Sequence, residues 1–238
     1  MGLPEKPSSK HFIEVENNEE VAAVHHEDDS DKWIFFCHGF GSNKEGSYEK
    51  RCEYFQERGY NTVRFDFRGN GESDGDFIEQ TLSSRINDLK AVIDHFEPGT
   101  FVLFGSSFGE KVVFHAAEDL EPEVVIGRAP VTYNKIMEKY RAVVEEKGEF
   151  THHGEKTIDR RFYEDFDSYQ FDSVVENLEA ETVIFHGGAD TTVHPENSFE
   201  AAQALNSDVS LHKFEGERHS FSDKAEARML ELMAVHLD

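Results

Sequence analysis

The sequence predicts one α/β domain over residues 1–238, with a mostly parallel sheet and helices on both of its faces. Short apolar runs rich in Val, Ile and Phe alternate along the chain with longer segments of helical periodicity. Strands of this kind are typical of parallel sheets that are buried on both sides. Only 37% of the residues are hydrophobic, but 21 Phe residues supply bulk for a folded core.

The first half of the chain predicts a hairpin followed by strand–helix units. The runs "HFIEV" and "EVAAVH" flank the polar "ENNE", a pattern typical of a β-hairpin. The run "KWIFFC" predicts a buried strand that ends at the glycine-rich loop "HGFGSN". Helical spacing over 48–58 ends at Gly59, and the strand "NTVRFDF" precedes the polar loop "RGNGESDG".

The next units follow the same alternation. Apolar residues recur three and four positions apart from Leu82 to Phe96, which predicts a helix that ends near Glu97, before Pro98 and Gly99. The remaining predicted elements are strand "FVLF", helix Glu110 to Leu120, strands "EVVIG" and "ETVIFH", helix "SFEAAQAL", strand "DVSLHKF" and helix Lys224 to His236.

One segment interrupts this rhythm, at about 131–178. It contains a helix-like stretch, "NKIMEKYRAVVEEK", followed by the charged "THHGEKTIDRRFYEDFDSYQ", and no strand–helix unit. It is too long for an ordinary connection and too short for a domain. The sequence therefore predicts an inserted cap.

The composition limits the classes of partner. The net charge of −25 comes from 49 acidic and 24 basic residues that are spread along the chain. This charge repels phosphate backbones and anionic membranes, so neither nucleic acid nor a membrane is an expected partner. A dispersed acidic excess is also typical of proteins from salt-accumulating archaea, where high ionic strength screens the repulsion.

Cysteine usage and hydropathy predict a cytoplasmic protein. Cys37 and Cys52 are the two cysteines, and they form no CxxC pair; the "WIFFC" run around Cys37 predicts its burial. The N-terminus "MGLPEKPSSKHF" has no apolar leader, and no window approaches 18 apolar residues.

The turn "GSSFG" carries the strongest functional signal. It places Ser107 at the centre of a G-x-S-x-G pattern, directly after a buried strand and at the start of an amphipathic helix. Glycines are needed on both sides because the strand turns sharply into the helix and backbone segments come very close. We expect Ser107 to be exposed above the sheet edge as a nucleophile.

A serine hydroxyl needs a base to accept its proton, and the base needs an orienting carboxylate. The loop after "TVIFH" supplies Asp190, and the loop after the last strand supplies His219. Two N–H donors are also required for the oxyanion. The backbone N–H groups of Phe108, which follows the nucleophile, and of Phe40, in "HGFG", are the candidates.

With these motifs the chain resembles the α/β-hydrolase superfamily over nearly its whole length. The resemblance rests on "HGFGSNK", "DFRGNGES", "GSSFGE", "HGGADTTV" and "GERHSF", and is strongest to small carboxylesterases, including feruloyl (cinnamoyl) esterases. It implies an eight-stranded α/β-hydrolase fold, a Ser107–His219–Asp190 triad, oxyanion donors at Phe40 and Phe108, a small-molecule ester substrate and no cofactor. The bulky Phe108 and the charged "DRRFYEDFD" stretch in the cap depart from the family pattern.

Several residues have competing interpretations. Ser106 is off-centre in the motif, and we expect it to face packing. Glu215 and Glu217 are alternative acids, but they lie close to His219 in sequence. Asp66 is expected to fix a loop near the site together with Arg68.

The histidines and the aromatic residues of the cap raise two further questions. His38 and His186 each begin an "HG" turn and are expected to hydrogen-bond the backbone. The pairs His25–His26 and His152–His153 diverge on regular structure, so no metal site is expected. Four aromatic residues could line an acyl pocket or form the cap's own core: Tyr133, Phe162, Tyr163 and Phe166.

The triad does not determine the leaving group. Thioesterase, lactonase and serine peptidase activities stay open beside the ester hydrolase, as do a cofactor-free haloperoxidase or C–C hydrolase and a non-catalytic binding protein of the same fold.

Overall fold

The computed structural model describes residues 7–152 and 154–237 of the chain. Its strands are β1 (Ser8–Glu14), β2 (Glu20–His26), β3 (Lys32–Cys37), β4 (Asn61–Phe65), β5 (Thr100–Ser106), β6 (Val124–Arg128), β7 (Glu149–His152), β8 (Lys156–Asp159), β9 (Glu181–Gly187) and β10 (Val209–Phe214). Its α-helices are α1 (Ser47–Gln56), α2 (Leu82–Phe96), α3 (Phe108–Leu120), α4 (Glu138–Lys147), α5 (Arg160–Phe166), α6 (Phe171–Asn177), α7 (Glu196–Ala204) and α8 (Asp223–Leu237).

The main sheet has eight strands in the order β1-β2-β4-β3-β5-β6-β9-β10. The hairpin β1–β2 is antiparallel and pairs Glu14 with Glu20, and β2 is antiparallel to β4. All other neighbours in this sheet are parallel. The predicted mostly parallel sheet is therefore confirmed, and the antiparallel edge is the predicted hairpin.

Strand β3 shows why both faces carry helices. Successive side chains of a strand point to opposite faces. Ile34 and Phe36 pack with side chains of α1 and α8, whereas Phe35 and Cys37 pack with side chains of α2 and α3. All four are at most 1% exposed, so the run is apolar because it is buried on both sides.

Helix α2 begins and ends at the signals in its sequence. Thr81 accepts a hydrogen bond from the Ser84 backbone N–H, and the Ser84 hydroxyl oxygen accepts one from the Thr81 N–H, which forms a capping box. At the other end Glu97 has a left-handed backbone (φ 45°) and Pro98 follows. The predicted end of this helix is confirmed.

The segment between β6 and β9 packs against the start of α3 and the loop after β3, where the Phe162 ring lies 5.9 Å from that of Phe108 and 6.1 Å from that of Phe40. It contains a 3-10 turn at Asn134–Met137, helices α4, α5 and α6, and the antiparallel hairpin β7–β8. The sequence predicts a helix-like stretch over 134–147, which the structure divides into the 3-10 turn and α4, and it does not predict the hairpin. Each of its strands has four residues and a partly exposed, polar pattern, so the apolar signal of a strand is weak. His153, one half of the His152–His153 pair, lies outside the described residues.

None of the helices in the two described ranges combines the length and the apolar character needed to cross a membrane.

Candidate functional site

Ser107 lies in the sharp turn between β5 and α3, with a strained backbone (φ 57°, ψ −116°). A Cβ atom on Gly109 would lie 2.5 Å from the carbonyl oxygens of Cys37 and His38, and one on Gly105 would collide with the backbone of Glu110. Both glycines are thus required because α3 packs directly against β3 and β5. This packing holds Ser107 at the carboxyl edge of the sheet.

A continuous hydrogen-bonded chain starts at this serine. His219 Nε2 lies 3.1 Å from Ser107 Oγ, and His219 Nδ1 lies 2.7 Å from Asp190 Oδ2. His219 is in the loop between β10 and α8, and Asp190 follows β9. The structure therefore brings together the three residues that the sequence analysis singled out, from three separate loops.

The Asp190 carboxylate is fully enclosed and its lone pairs are occupied. Oδ1 accepts hydrogen bonds from the backbone N–H groups of Thr192 (2.8 Å) and Val193 (3.0 Å). Burial raises its pKa, but hydrogen bonds from His186 and His219 outweigh burial and hold the pKa of Asp190 well below its usual range. The carboxylate is thus an anion that can stabilise a histidine cation.

His186 is a second histidine that contacts Oδ2 of this carboxylate. Its Nε2 lies 2.9 Å from the Val193 carbonyl oxygen, which can only accept, so Nε2 carries the hydrogen. The same nitrogen lies 3.3 Å from Asp190 Oδ2. His38 in turn bonds the Gly39 carbonyl through Nδ1 and accepts from the Phe67 N–H. The prediction that both histidines bond the backbone is confirmed.

The loop after β3 passes directly over the nucleophile. A Cβ atom on Gly39 would lie 3.3 Å from Ser107 Cβ. Phe40 follows in this loop, and no acceptor for its N–H is found among the described residues. Phe108 is the first residue of α3, where helix N–H groups have no intrahelical partner. The assignment of these two N–H groups as oxyanion donors stays a prediction.

Ser107 and His219 open into a cavity of about 660 Å³. The carboxyl edge of the sheet forms its floor, and the cap contributes Ile136, Met137, Tyr140, Phe150 and Ile158. Small-molecule sites commonly have volumes of about 300–1,000 Å³. The cavity is therefore large enough for an acyl or aryl group beside the serine.

Of the four aromatic residues of the cap, Phe162, Tyr163 and Phe166 belong to the hydrophobic core and Tyr133 packs against it, and none of the four lines this cavity. Phe162, Tyr163 and Phe166 are at most 3% exposed. The ring centroids of Phe162 and Phe166 lie 5.9 Å and 6.0 Å from that of Phe108. Tyr133 packs on Phe171 at 5.2 Å.

Asp66 is structural, as predicted, but Arg68 is not its partner. Asp66 Oδ2 is 2.6 Å from Lys44 Nζ, and its Oδ1 accepts the Lys44 backbone N–H. Arg68 instead bonds Asp88 through Nε at 2.7 Å. Although Asp66 and Arg68 are only two positions apart in sequence, their side chains therefore bind different partners.

The alternative acids and the competing serine have other contacts. Glu215 pairs with Lys213 at 2.8 Å, and Glu217 accepts hydrogen bonds from the N–H and the hydroxyl of Ser222. Ser106 is 1% exposed and accepts from Arg128.

Arg128 is a site residue that sequence reasoning missed. It ends β6, lines the cavity, and donates from Nη1 to the carbonyl oxygen of His219 at 2.8 Å. The one available signal was a basic residue at the end of a predicted apolar strand, "VVIGR", next to the nucleophile's strand.

Within the described ranges, no group of three or more His, Cys, Asp and Glu side chains is arranged to hold a metal ion. His25 bonds the Asn61 amide oxygen, and His26 lies next to Arg64.

The family described as serine aminopeptidase, S33 (Hydrolase_4) matches residues 28–146. The mitochondrial palmitoyl-protein thioesterase ABHD10 of Bos taurus is 27% identical over 214 residues, covering 83% of this chain and 70% of that protein. The same thioesterase of Mus musculus is 31% identical over 132 residues, covering 54% of this chain and 44% of that protein.

Three solved structures share the fold. A putative hydrolase from Agrobacterium vitis S4 has a TM-score of 0.86 at 22% identity, covering 98% of this chain and 100% of that one. Mouse α/β hydrolase domain-containing protein 10 has a TM-score of 0.85 at 24% identity, covering 96% and 98%. The ferulic acid complex of Est1E from Butyrivibrio proteoclasticus has a TM-score of 0.84 at 20% identity, covering 95% and 99%. The matched half of the sequence and the shared fold show that this chain belongs to the Hydrolase_4 family of the α/β-hydrolase superfamily.

Proposed function

We propose that the chain is a serine hydrolase that cleaves carboxylic esters through an acyl-enzyme intermediate. The observation that carries this proposal is the chain of hydrogen bonds from Ser107 through His219 to Asp190, which opens into the cavity. A small-molecule ester of moderate size is the substrate class that the cavity volume supports.

Each residue has a defined role in this reaction. Ser107 Oγ attacks the ester carbonyl while His219 Nε2 accepts its proton, and Asp190 stabilises the imidazolium. The N–H groups of Phe40 and Phe108 bind the oxyanion of the tetrahedral intermediate. His219 then protonates the leaving alcohol, and a water molecule repeats the cycle on the acyl-enzyme.

Thioester hydrolysis is the second candidate. The bovine relative, 27% identical over 83% of this chain, is a palmitoyl-protein thioesterase. The same triad serves oxygen esters and thioesters, because the leaving group does not alter the roles of serine, histidine and aspartate.

Aminopeptidase activity receives less support, although the family description names it. An aminopeptidase substrate carries a free ammonium group. The cations Arg128 and Lys139 line this cavity and would repel that group.

The test is hydrolysis of nitrophenyl esters from acetate to laurate, with acyl thioesters of the same chain lengths. We expect turnover by the wild type and none above background by Ser107→Ala. Ser106→Ala, which removes the competing hydroxyl, is expected to turn over far faster than Ser107→Ala. A fluorophosphonate probe should label the wild type at Ser107. A folded wild type that neither reacts with the probe nor cleaves any ester would overturn the proposal.

We also infer that the acidic surface adapts the protein to high salt. The net charge of −25 comes from residues spread along the chain, and self-repulsion of this kind is screened within about 3 Å at 1 M salt. The same assays at low and at molar KCl test the inference. We expect a higher unfolding temperature and higher activity at molar salt, and equal values in both would refute it.

A further inference from the structure

The cation of Arg128 lies beside the proposed nucleophile without an anionic partner. The Arg128 carbonyl oxygen accepts the Ser107 N–H at 2.9 Å, so the two residues are neighbours across the strand ends. Its guanidinium donates to Ser106 Oγ from Nε (3.0 Å) and Nη2 (2.6 Å), and to the His219 carbonyl from Nη1 (2.8 Å). Both acceptors are neutral, and no carboxylate among the described residues lies within 4.0 Å of the guanidinium nitrogens.

An unpaired guanidinium in a largely enclosed position is energetically costly. Buried charges in proteins are normally paired, because desolvation otherwise goes uncompensated. Burial and the neighbouring Arg51 lower the pKa of Arg128, and the charges of Glu226 and Asp190 at longer range offset this only in part. Its three hydrogen bonds leave one N–H on each terminal nitrogen for another acceptor.

A second cation reaches the cavity from the cap. Lys139 is exposed on α4, its Nζ lies 4.8 Å from the centre of the Tyr140 ring, and it lines the same cavity. Within the described ranges it has no carboxylate within 4.0 Å either. By contrast, Lys135, one turn earlier, pairs with Glu200 at 3.6 Å.

The cavity lining thus differs in charge from the rest of the protein. Of 238 residues 49 are acidic, yet none of the described residues that line the cavity is Asp or Glu. Cations on two walls and apolar side chains on the cap form a surface that complements an anionic, partly apolar molecule.

We propose that the site selects esters that carry a carboxylate, with Arg128 and Lys139 as the residues that bind it. This inference rests on the proposed ester hydrolase function and names its substrate class. The carboxylate could belong to the acyl part or to the alcohol part of the ester, and matched substrates distinguish the two.

The experiment compares kcat/KM within pairs of esters that differ in charge. For the acyl side the pair is 4-nitrophenyl hemiadipate and 4-nitrophenyl heptanoate. For the alcohol side it is 4-acetoxybenzoate and its methyl ester. We expect the wild type to prefer the anionic member of at least one pair, and the pair that shows the preference identifies the side.

Two variants and a matched control test the assigned residues. Lys139→Gln is expected to lower the ratio of anionic to neutral kcat/KM by about two- to five-fold, as for an exposed charge pair. Arg128→Gln is expected to lower this ratio by at least about 30-fold, as for an enclosed one. Lys135→Gln changes the net charge equally but lies outside the cavity, so its ratio should match the wild type. Far-UV circular dichroism and thermal unfolding confirm that each variant is folded.

The outcomes separate this inference from the proposed function. No turnover of any ester would remove the proposed function itself. Turnover of neutral esters with no preference for the anionic partner in either pair would overturn only the inference. An equal loss on both members of each pair in Arg128→Gln would show that Arg128 merely positions the His219 loop, and this outcome also contradicts the inference.

Discussion

The substitution Asp190→Asn tests the proposed mechanism most directly, because the structure determines how the new amide must be oriented. Asp190 Oδ1 accepts two backbone N–H groups, from Thr192 and Val193. The amide oxygen of the substituted side chain must take that position, so its NH₂ group faces His219 Nδ1. Nδ1 must then accept a hydrogen bond, and the imidazole proton moves to Nε2, which faces Ser107 Oγ at 3.1 Å.

A histidine in this tautomer cannot accept the serine proton. In a serine protease triad the equivalent change lowers kcat about 10⁴-fold, which corresponds to about 5.4 kcal/mol of activation free energy. We expect a loss of this size here. His186 Nε2, which carries a hydrogen, lies 3.3 Å from the oxygen that the NH₂ group replaces. Two hydrogen-bond donors would therefore face each other at this position.

The assay is the steady-state kcat on 4-nitrophenyl butyrate, with circular dichroism to confirm folding. Glu215→Gln, which removes an exposed carboxylate near His219 that pairs with Lys213, is the matched control and should keep the wild-type rate. The assignment of the acid would be refuted if kcat fell by less than about ten-fold in Asp190→Asn. It would also be refuted if kcat fell further in Glu215→Gln than in Asp190→Asn.

Three further predictions concern stability. Lys44→Met leaves the buried Asp66 carboxylate without its 2.6 Å partner, and should lower the free energy of unfolding in urea by about 3–5 kcal/mol. Gly109→Ala places a methyl group 2.5 Å from two backbone oxygens, and should cost about 1–3 kcal/mol and lower kcat, because it displaces the loop that carries the oxyanion donor. Burial raises the pKa of the Glu110 carboxyl well above its usual range, so above the unfolded pKa the native state binds more protons than the unfolded state. Stability therefore falls as pH rises, by up to about 1.4 kcal/mol per pH unit, and Glu110→Gln should stabilise the protein more at pH 8 than at pH 5.

Each of these has a control in the same chain. Lys10→Met removes an exposed 2.6 Å ion pair and should cost less than about 1 kcal/mol. Gly99→Ala meets only ordinary contacts, the nearest at 3.4 Å, and should change stability by less than about 0.5 kcal/mol. Glu118→Gln, which removes an exposed carboxylate from the same helix, is the reference for Glu110→Gln at both pH values. A variant that behaves like its control contradicts the corresponding prediction.

The sequence was sufficient for the central sheet because its strands are buried on both faces. Runs such as "WIFFC" and "FVLF" are apolar throughout, and glycine or proline marks their ends. The three proposed triad residues were predictable for a related reason: each follows a strand whose carboxyl end meets the same sheet edge.

Pairings between distant residues were less accessible to sequence reasoning. Asp66 and Arg68 are two positions apart, yet Asp66 reaches Lys44 and Arg68 reaches Asp88. The hairpin β7–β8 is held by pairs such as Phe150 with Ile158, between short strands that are otherwise polar. In each case the partner is determined by the packing of distant elements, which local composition does not encode.

The aromatic cluster of Phe40, Phe108 and Phe162 has a consequence for how this protein can acquire new substrates. Phe40 and Phe108, whose N–H groups are the proposed oxyanion donors, both have rings that pack on Phe162 of the cap, at 6.1 Å and 5.9 Å. Ile136 and Phe150 of the cap also line the cavity but lie outside this cluster. Mutant libraries aimed at new substrates should therefore randomise cap positions such as Ile136 and Phe150 and retain Phe162, because altering that ring would change selectivity and catalytic rate together.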